Sequence, residues 1–242
     1  MASLIGSKVE RKEDKRFLTG KGQYTADINL VNQTYASFVR SPHARAKIIK
    51  IDATKAEKAP GVVKILTGDD LAADKIGGLI AGWAIRSEDG SEMKCPPNPP
   101  LAKDNVNFVG DPIAVIFAES LEEARAASEL VKIDYKVLKA ITNLSETMNS
   151  ETIHEGIDKN LCYDWLLGDR QKVKEAFEKA DKIIKLDITN NRLVPNAMEP
   201  RACVIDYNTA SEEITCYTTS QNPHLSRLIM SAFGGVWHLN TS

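Results

Sequence analysis

The chain has no dominant charge, no long apolar run and few aromatic residues. These absences limit the classes of protein to which it can belong. Its 31 basic and 33 acidic residues give a formal net charge of −2. It therefore lacks the basic excess typical of nucleic-acid-binding proteins. No apolar run approaches the ~20 residues of a membrane helix, and residues 1–11 are polar, without an apolar signal core. We expect a cytoplasmic protein with no membrane span and no nucleic-acid partner.

Cysteine is also scarce. Cys95, Cys162, Cys203 and Cys216 are far apart and form no C-x-x-C pair. This spacing argues against structural zinc and against iron–sulfur ligation, so no metal-ligating residue is predicted. Cys203 and Cys216 lie in apolar, strand-like runs, which predicts that both are buried core thiols. A reducing compartment fits this use of cysteine.

Common catalytic motifs are missing. No G-x-S-x-G elbow occurs, and the glycines at 20, 22, 77 and 78 lack the strand–G-x-G-x-x-G–helix context of a nucleotide site. His154, His224 and His238 have no metal-ligand spacing. His43 lies between two arginines and would need a nearby carboxylate or substrate to act as a base. An ordinary loop histidine is the favoured interpretation.

The sequence does contain strand signals mixed with helix signals, as in an α+β protein. Strands are predicted at 34–39, 46–51, 62–66, 113–118 and 133–135. The run at 113–118 is continuously apolar, as in a strand covered on both faces. A short helix is predicted from Asp52 to Lys58, and a longer one after Ser120, where Glu123 completes a capping-box spacing. Residues 73–104 show no hydrophobic periodicity. This predicts a long loop, the 73–104 excursion, with a functional or interfacial role.

The second half is patterned more weakly. Residues 139–168 resemble an inter-domain connection, and Asp169 is placed to cap a helix. Ile184, Leu186 and Ile188 alternate as in a half-buried strand. Two more strands are predicted at 202–207 and 214–219, followed by a helix with Pro223 at its first position.

The junction between the last strand and the last helix has the one polar pattern of interest. A helix start presents free N–H groups and a positive dipole end. The amide of Gln221 offers both a donor and an acceptor, so it could bind a cofactor oxygen without adding charge. On spacing alone, a simple helix-capping segment is the favoured interpretation of these residues.

Several ordered blocks nevertheless match one family. The stretches are RKEDKRFLTGKGQYTADI at 11–28, FVRSPHA at 38–44, PGVV at 60–63 with LTGDDL at 66–71, and VGDPIA at 109–114. In order and spacing they resemble the N-terminal hammerhead domain of large subunits in the xanthine dehydrogenase and aldehyde oxidase family. NRLVPNAMEPR at 191–201 and TSQNPH at 219–224 resemble the start of the molybdenum-cofactor-binding region. Their form is closer to the carbon monoxide dehydrogenase-like bacterial large subunits than to eukaryotic xanthine dehydrogenase.

The resemblance implies both a domain order and a site. It predicts an α+β hammerhead domain at 1–140, a connecting segment at 141–168 and the start of an incomplete molybdenum-cofactor-binding domain at 169–242. Gln221 would be the cofactor-binding residue, through a hydrogen bond to the apical oxo ligand of molybdenum. The general-base glutamate and the pocket residues of the family lie beyond residue 242, so no catalytic residue is predicted in this chain.

The implied function is that of a molybdenum hydroxylase large subunit. Such a subunit carries a molybdenum–molybdopterin cofactor and oxidises an aldehyde, an N-heterocycle, carbon monoxide or a similar small molecule with oxygen from water. Electrons would pass to iron–sulfur clusters on a small subunit and to FAD on a medium subunit. Residues 234–242 depart from the family pattern, as a truncated or frame-shifted end would. The alternative is therefore a non-catalytic remnant that acts as a folded subunit-docking module.

Overall fold

The computed structural model describes residues 5–6, 8–79, 81–233 and 239–241. The chain divides into two compact units, one formed by 1–34 with 199–242 and the other by 35–198. Each unit is a mixture of helices and strands, so the predicted α+β class is confirmed. The predicted domain limits at 140 and 168 do not coincide with this division and stay predictions.

Two three-stranded antiparallel sheets form the core of the 35–198 unit. The first has the order β1-β5-β3 and the second the order β4-β2-β6. The strands are β1 Tyr35–Arg40, β2 Ala46–Asp52, β3 Val62–Thr67, β4 Asn105–Val106, β5 Pro112–Ala118 and β6 Lys132–Val137. Every strand predicted between residues 34 and 138 is present, within one or two residues of its predicted limits.

Strand β5 is covered on both faces, as its apolar run predicts. Ile113 belongs to a buried cluster with Ala46, Ile48 and Val106 of the second sheet. Ile116 belongs to a separate buried cluster with Ala127 of the following helix. The two isoleucines are three residues apart and point to opposite faces of the strand. β5 therefore joins both cores of the unit.

The helix after β5 begins where the sequence predicts. Helix α3 spans Leu121–Leu130 and buries Ala124 and Ala127. (Helices α1 and α2 are Asp14–Leu18 and Gly68–Ala73.) The Ser120 hydroxyl accepts the Glu123 N–H at 3.2 Å and donates to the Glu123 carboxylate at 2.8 Å. The carboxylate thus meets the cap hydroxyl, whereas a full capping box would place it on the cap N–H.

Two other predictions in this unit differ from the structure. The predicted helix from Asp52 to Lys58 is only a turn: the Glu57 N–H reaches the Ala53 carbonyl at 2.9 Å. Pro60 and Gly61 leave no length for further turns. Helix α2 was not predicted, although Thr67 and Asp70 form a reciprocal cap at its start, with both Thr67 donors 2.7 Å from Asp70 Oδ2.

The predicted connection at 141–168 is packed and hydrogen-bonded. It contains two short 3₁₀ helices, Leu144–Asn149 and Asp158–Asn160, and buries Ile157. The Asn160 side chain donates to the carbonyls of Thr147 and Glu151. Arg45 of β2's entry loop donates to the Lys139 carbonyl at 3.1 Å and pairs with Glu151 at 3.4 Å. These contacts fix the segment against its own unit.

After the connecting segment, residues 169–198 are mostly exposed. Helix α4 spans Arg170–Glu178, and Asp169 caps it by accepting the Lys172 N–H at 3.0 Å, as predicted. The predicted strand at Ile184, Leu186 and Ile188 is wrong, because residues 183–198 contain no strand. All three side chains are more than three-quarters exposed. A strand is stable only beside a partner, and the described residues provide none here.

The other unit contains a hairpin, a helix and a third strand. β7 Cys203–Asn208 pairs antiparallel with β8 Glu213–Thr218, and β9 Leu239–Thr241 pairs with β8 in parallel. Helix α5, Pro223–Phe233, connects β8 to β9. Both predicted strands and the predicted helix start are confirmed. The predicted departure from the family pattern at 234–242 lies largely outside the described residues.

Candidate functional site

The candidate site is the loop between β8 and α5, and the hairpin fixes where it begins. Cys203 lies opposite Thr218 in the β7–β8 register. Beyond that pair, the Thr219 N–H and the Thr218 hydroxyl both donate to the Ala202 carbonyl at 3.4 Å. The end of β8 is therefore held to the start of β7, and the chain leaves the sheet at a defined point.

Serine side chains and the first helical turn fix the other end of the loop. Ser220 Oγ accepts the Asn222 N–H at 3.1 Å and lies 3.1 Å from Ser226 Oγ. The Ser226 N–H donates to the Asn222 carbonyl at 2.9 Å, which begins the helical pattern. Pro223 needs no N–H partner at the first helical position. The loop is thus tied on both sides of residue 221.

Gln221 itself is exposed, and its carboxamide has no hydrogen-bond partner among the residues that the structure describes. The side chain can therefore offer an N–H donor and a carbonyl acceptor to a ligand. A free primary amide on a fixed loop next to a helix N-terminus suits an oxygen atom that carries partial negative charge. This chemistry fits the predicted cofactor contact, which stays a prediction.

The histidines have no role that their contacts assign to this loop: His43 and His154 belong to the 35–198 unit, and His224 lies in α5 directly after the loop. The His43 ring packs edge-on against Tyr135 with centroids 4.8 Å apart, and the His43 backbone N–H donates to Ser41 Oγ at 3.0 Å. These contacts give it a packing role, in agreement with the loop interpretation. His154 is half-buried in the 35–198 unit, His224 is exposed in α5, and His238 lies outside the described residues. In the described ranges no three His, Cys, Asp or Glu residues are grouped as metal ligands.

A second feature, which the sequence did not reveal, lies within the 35–198 unit. The excursion at 73–104 folds back and, with residues 105–111 and 154–163, lines an open pocket of about 490 Å³. Leu79, Met93 and Phe108 supply apolar surface, and His154 and Tyr163 supply polar groups. The Lys94 N–H donates to the Cys162 carbonyl at 2.9 Å, which joins the two segments. A contact between residues 68 positions apart has no local sequence signal.

Burial raises the pKa values of Asp111, Tyr135 and Cys216. Desolvation raises the pKa of Asp111, although the Asn107 N–H donates to its carboxylate at 3.0 Å. Burial, and then the neighbouring Cys203 thiol, raises the pKa of Cys216 to about 11. Cys216 is buried as predicted, but Cys203 is exposed. The prediction of two buried thiols is therefore wrong for Cys203, which lies on the outer strand of its sheet.

Comparisons with protein families account for most of the chain. The sequence model for "Aldehyde oxidase and xanthine dehydrogenase, a/b hammerhead domain" matches residues 19–139, half of the chain. The model for "Molybdopterin cofactor-binding domain" matches residues 153–238. The second match includes the whole β7–β8 hairpin and Gln221. No helix among the described residues has the length and apolarity needed to cross a membrane.

Individual relatives agree with these matches. The nicotine 6-hydroxylase large subunit of Paenarthrobacter nicotinovorans is 31% identical over 96% of this chain and 28% of that protein. The carbon monoxide dehydrogenase large chain of Afipia carboxidovorans is 31% identical over 96% of this chain and 29% of its own length. This chain therefore spans less than a third of these relatives.

Solved structures are similar over nearly the whole chain. Quinoline 2-oxidoreductase from Pseudomonas putida 86 superposes with a TM-score of 0.84 at 26% identity, covering 98% of this chain and 30% of that one. A Cu,Mo-CO dehydrogenase superposes with a TM-score of 0.83 at 28% identity, with the same coverage. The order of a hammerhead domain followed by a cofactor-binding region, predicted from the sequence blocks, is thus confirmed.

Proposed function

The chain belongs to the aldehyde oxidase and xanthine dehydrogenase family, and on this premise we propose that it acts as part of the large subunit of a molybdenum hydroxylase. The reaction is the oxidation of a small molecule with oxygen derived from water. Relatives named for nicotine, carbon monoxide and aldehydes support this class. The substrate is an aldehyde, an N-heterocycle, carbon monoxide or a similar small molecule.

The observation that carries the proposal is the free carboxamide of Gln221 on a loop tied on both sides. In the proposed role this amide donates a hydrogen bond to an oxygen of the molybdenum–molybdopterin cofactor and orients it. The bound cofactor would supply the two-electron chemistry, as cofactors do in general. The Asn222 N–H to Ser220 Oγ bond spans Gln221 and fixes the point on the backbone from which its side chain extends.

The same proposal includes two partner subunits. Relatives carry the names "large subunit", "large chain" and "subunit gamma", which supports a multi-subunit complex. We propose that a small subunit with iron–sulfur clusters and a medium subunit with FAD accept the electrons, in the cytoplasm. The 242-residue chain alone is expected to give no substrate-dependent dye reduction above a metal-free control.

The test is recovery of the tagged chain from its own cells, with analysis of whatever is bound. The expected complex contains molybdenum, iron and flavin. Gln221→Ala should lower its rate of dye reduction 10- to 100-fold, the range typical of groups that orient a metal centre. Gln23→Ala is the matched control, because Gln23 is another exposed glutamine of the same unit. Equal activity of the two variants would remove the role assigned to Gln221.

A subunit-docking module is the second candidate. The two buried clusters of the 35–198 unit favour it, because this unit has a core that needs no cofactor. In that case the complex would contain iron and flavin but no molybdenum. Recovery of the chain without partners and without molybdenum would contradict both candidates.

A further inference from the structure

Cys203 and Cys216 form a thiol pair across the hairpin next to the candidate site. Their sulfurs are 3.8 Å apart. In the β7–β8 register Cys203 is opposite Thr218 and Cys216 is opposite Ile205. Alternate residues of a strand share a face, so the two cysteines are diagonal neighbours on one face of the hairpin. Diagonal neighbours are within reach of each other across an antiparallel pair.

We propose that Cys203 and Cys216 are a modification site, at which a small disulfide such as oxidised glutathione converts the two thiols to an intramolecular disulfide. A disulfide has an S–S distance of about 2.05 Å, so the sulfurs must approach by about 1.8 Å from 3.8 Å. Side-chain rotation at the exposed Cys203 can supply much of that movement. The proposal is independent of the role of Gln221.

The burial of the two thiols sets the order of the exchange. Cys203 is exposed, whereas Cys216 is 2% exposed, so a glutathione-sized reagent reaches Cys203 only. The Cys203 thiolate attacks the reagent, forms a mixed disulfide and releases one glutathione thiolate. Cys216 then loses its proton and attacks the Cys203 sulfur, which releases the second glutathione. The chain loses two hydrogens and the reagent gains them, as thiol–disulfide exchange requires.

The environment of Cys216 makes it the second thiol to react. Burial and the neighbouring Cys203 raise its pKa to about 11, so that it is protonated at neutral pH. A thiol attacks as its thiolate, and Cys216 therefore reacts only once a mixed disulfide lies beside it. In a reducing compartment the pair returns to two thiols by the reverse exchange.

The test is a thiol count followed by mapping. The reduced chain contains four cysteines, and treatment with oxidised glutathione should remove the Cys203 and Cys216 thiols without leaving glutathione on either, whereas the exposed Cys95 forms at most a mixed disulfide. Trypsin leaves both cysteines in peptide 202–227, because no Lys or Arg lies between them. That peptide should be two hydrogens lighter and should not react with an alkylating reagent. Cleavage after Glu212 or Glu213 should then give two fragments joined by a bond that dithiothreitol breaks.

Variants and a second cysteine pair provide controls. Cys95 and Cys162 both line the open pocket of the other unit, but no sulfur contact joins them in the described part of the chain. They should not join to each other. Cys216→Ser should stop the exchange at a stable glutathione adduct on Cys203, and Cys95→Ser should leave the disulfide unchanged. A lasting Cys203 adduct in the unsubstituted chain, or alkylation of both Cys203 and Cys216 after oxidation, would overturn the proposal.

Discussion

β5 and β8 are both the middle strand of a three-stranded sheet, yet they are buried to very different extents. Five of the seven residues of β5 are buried, against one of the six residues of β8. The second sheet covers one face of β5 and helix α3 covers the other. In the hairpin unit Ile205, Tyr207, Leu225 and Leu228 are all more than half exposed. Pairing of strands alone therefore does not form a core.

This difference has a thermodynamic meaning. Removal of apolar surface from water is the main favourable term in folding. The two sheets of the 35–198 unit carry most of the buried apolar residues, so we expect this unit to provide most of the stability of this chain. The hairpin unit bears the candidate cofactor contact and the thiol pair on a much smaller core.

The largest expected effect compares one isoleucine on each middle strand. Ile116→Ala removes a fully buried side chain and should lower the free energy of unfolding by about 2–5 kcal/mol. Ile214→Ala on β8 removes a half-buried side chain and should cost about 1 kcal/mol. Urea unfolding followed by circular dichroism measures both values. Equal losses would show that β8 has a core as substantial as that of β5.

A glycine pair tests whether the excursion is as well packed as the strands beside it. A Cβ at Gly78 would lie 2.5 Å from the backbone oxygen of Asn98, whereas a Cβ at Gly82 would meet no described atom within 4 Å. Gly78→Ala should therefore destabilise the fold by about 1–3 kcal/mol. Gly82→Ala should be neutral or slightly stabilising. Thermal unfolding compares the two, and a harmless Gly78→Ala would mean that the excursion moves away at little cost.

The smallest expected effect concerns how stability depends on pH. Two aspartates of the 35–198 unit should give dependences of opposite sign. The Thr67 hydroxyl and N–H hold the pKa of Asp70 below 3.8, and burial raises the pKa of Asp111 above 3.8. Asp70 therefore adds stability above pH 3.8 that is lost as the pH falls through its folded-state pKa. Asp111 contributes most below pH 3.8, and that contribution is lost as the pH rises through its folded-state pKa.

Two amide variants separate these contributions. Asp70→Asn should lose stability relative to the parent near neutral pH and approach it in acid. Asp111→Asn should gain relative to the parent as the pH rises, provided that the amide oxygen still accepts the Asn107 N–H. Urea midpoints between pH ~3 and ~7 measure both trends. A shift of the same sign in the two variants would contradict the assigned causes.

Sequence patterns predicted the elements whose signals are local. The apolar run of β5, the Ser120 cap of α3, the Asp169 cap of α4 and the proline at the start of α5 were all predicted correctly. Helix α2 was missed, although Thr67 and Asp70 have the spacing of a cap. The false strand at Ile184 to Ile188 shows the limit of alternation, because a period of two does not supply a partner strand.

For the candidate site, too, the sequence predicted some features and the structure added others. Motif order in the sequence identified the family, the domain order and Gln221 as the residue of interest. The structure contributed the two ties that fix its loop, at Ala202 and Ser226. Neither tie has a sequence signature, because each depends on which carbonyl or hydroxyl the fold brings near.

The sequence by itself determined the family, the α+β class and the positions of most strands and helices, since these follow from local periodicity and from ordered motifs. Only the tertiary structure decided that Cys203 is exposed while Cys216 is buried, that their sulfurs are in contact, and that the 73–104 excursion lines an open pocket with residues 154–163. Burial and contact between residues distant in sequence depend on how the whole chain packs, and no local pattern encodes them.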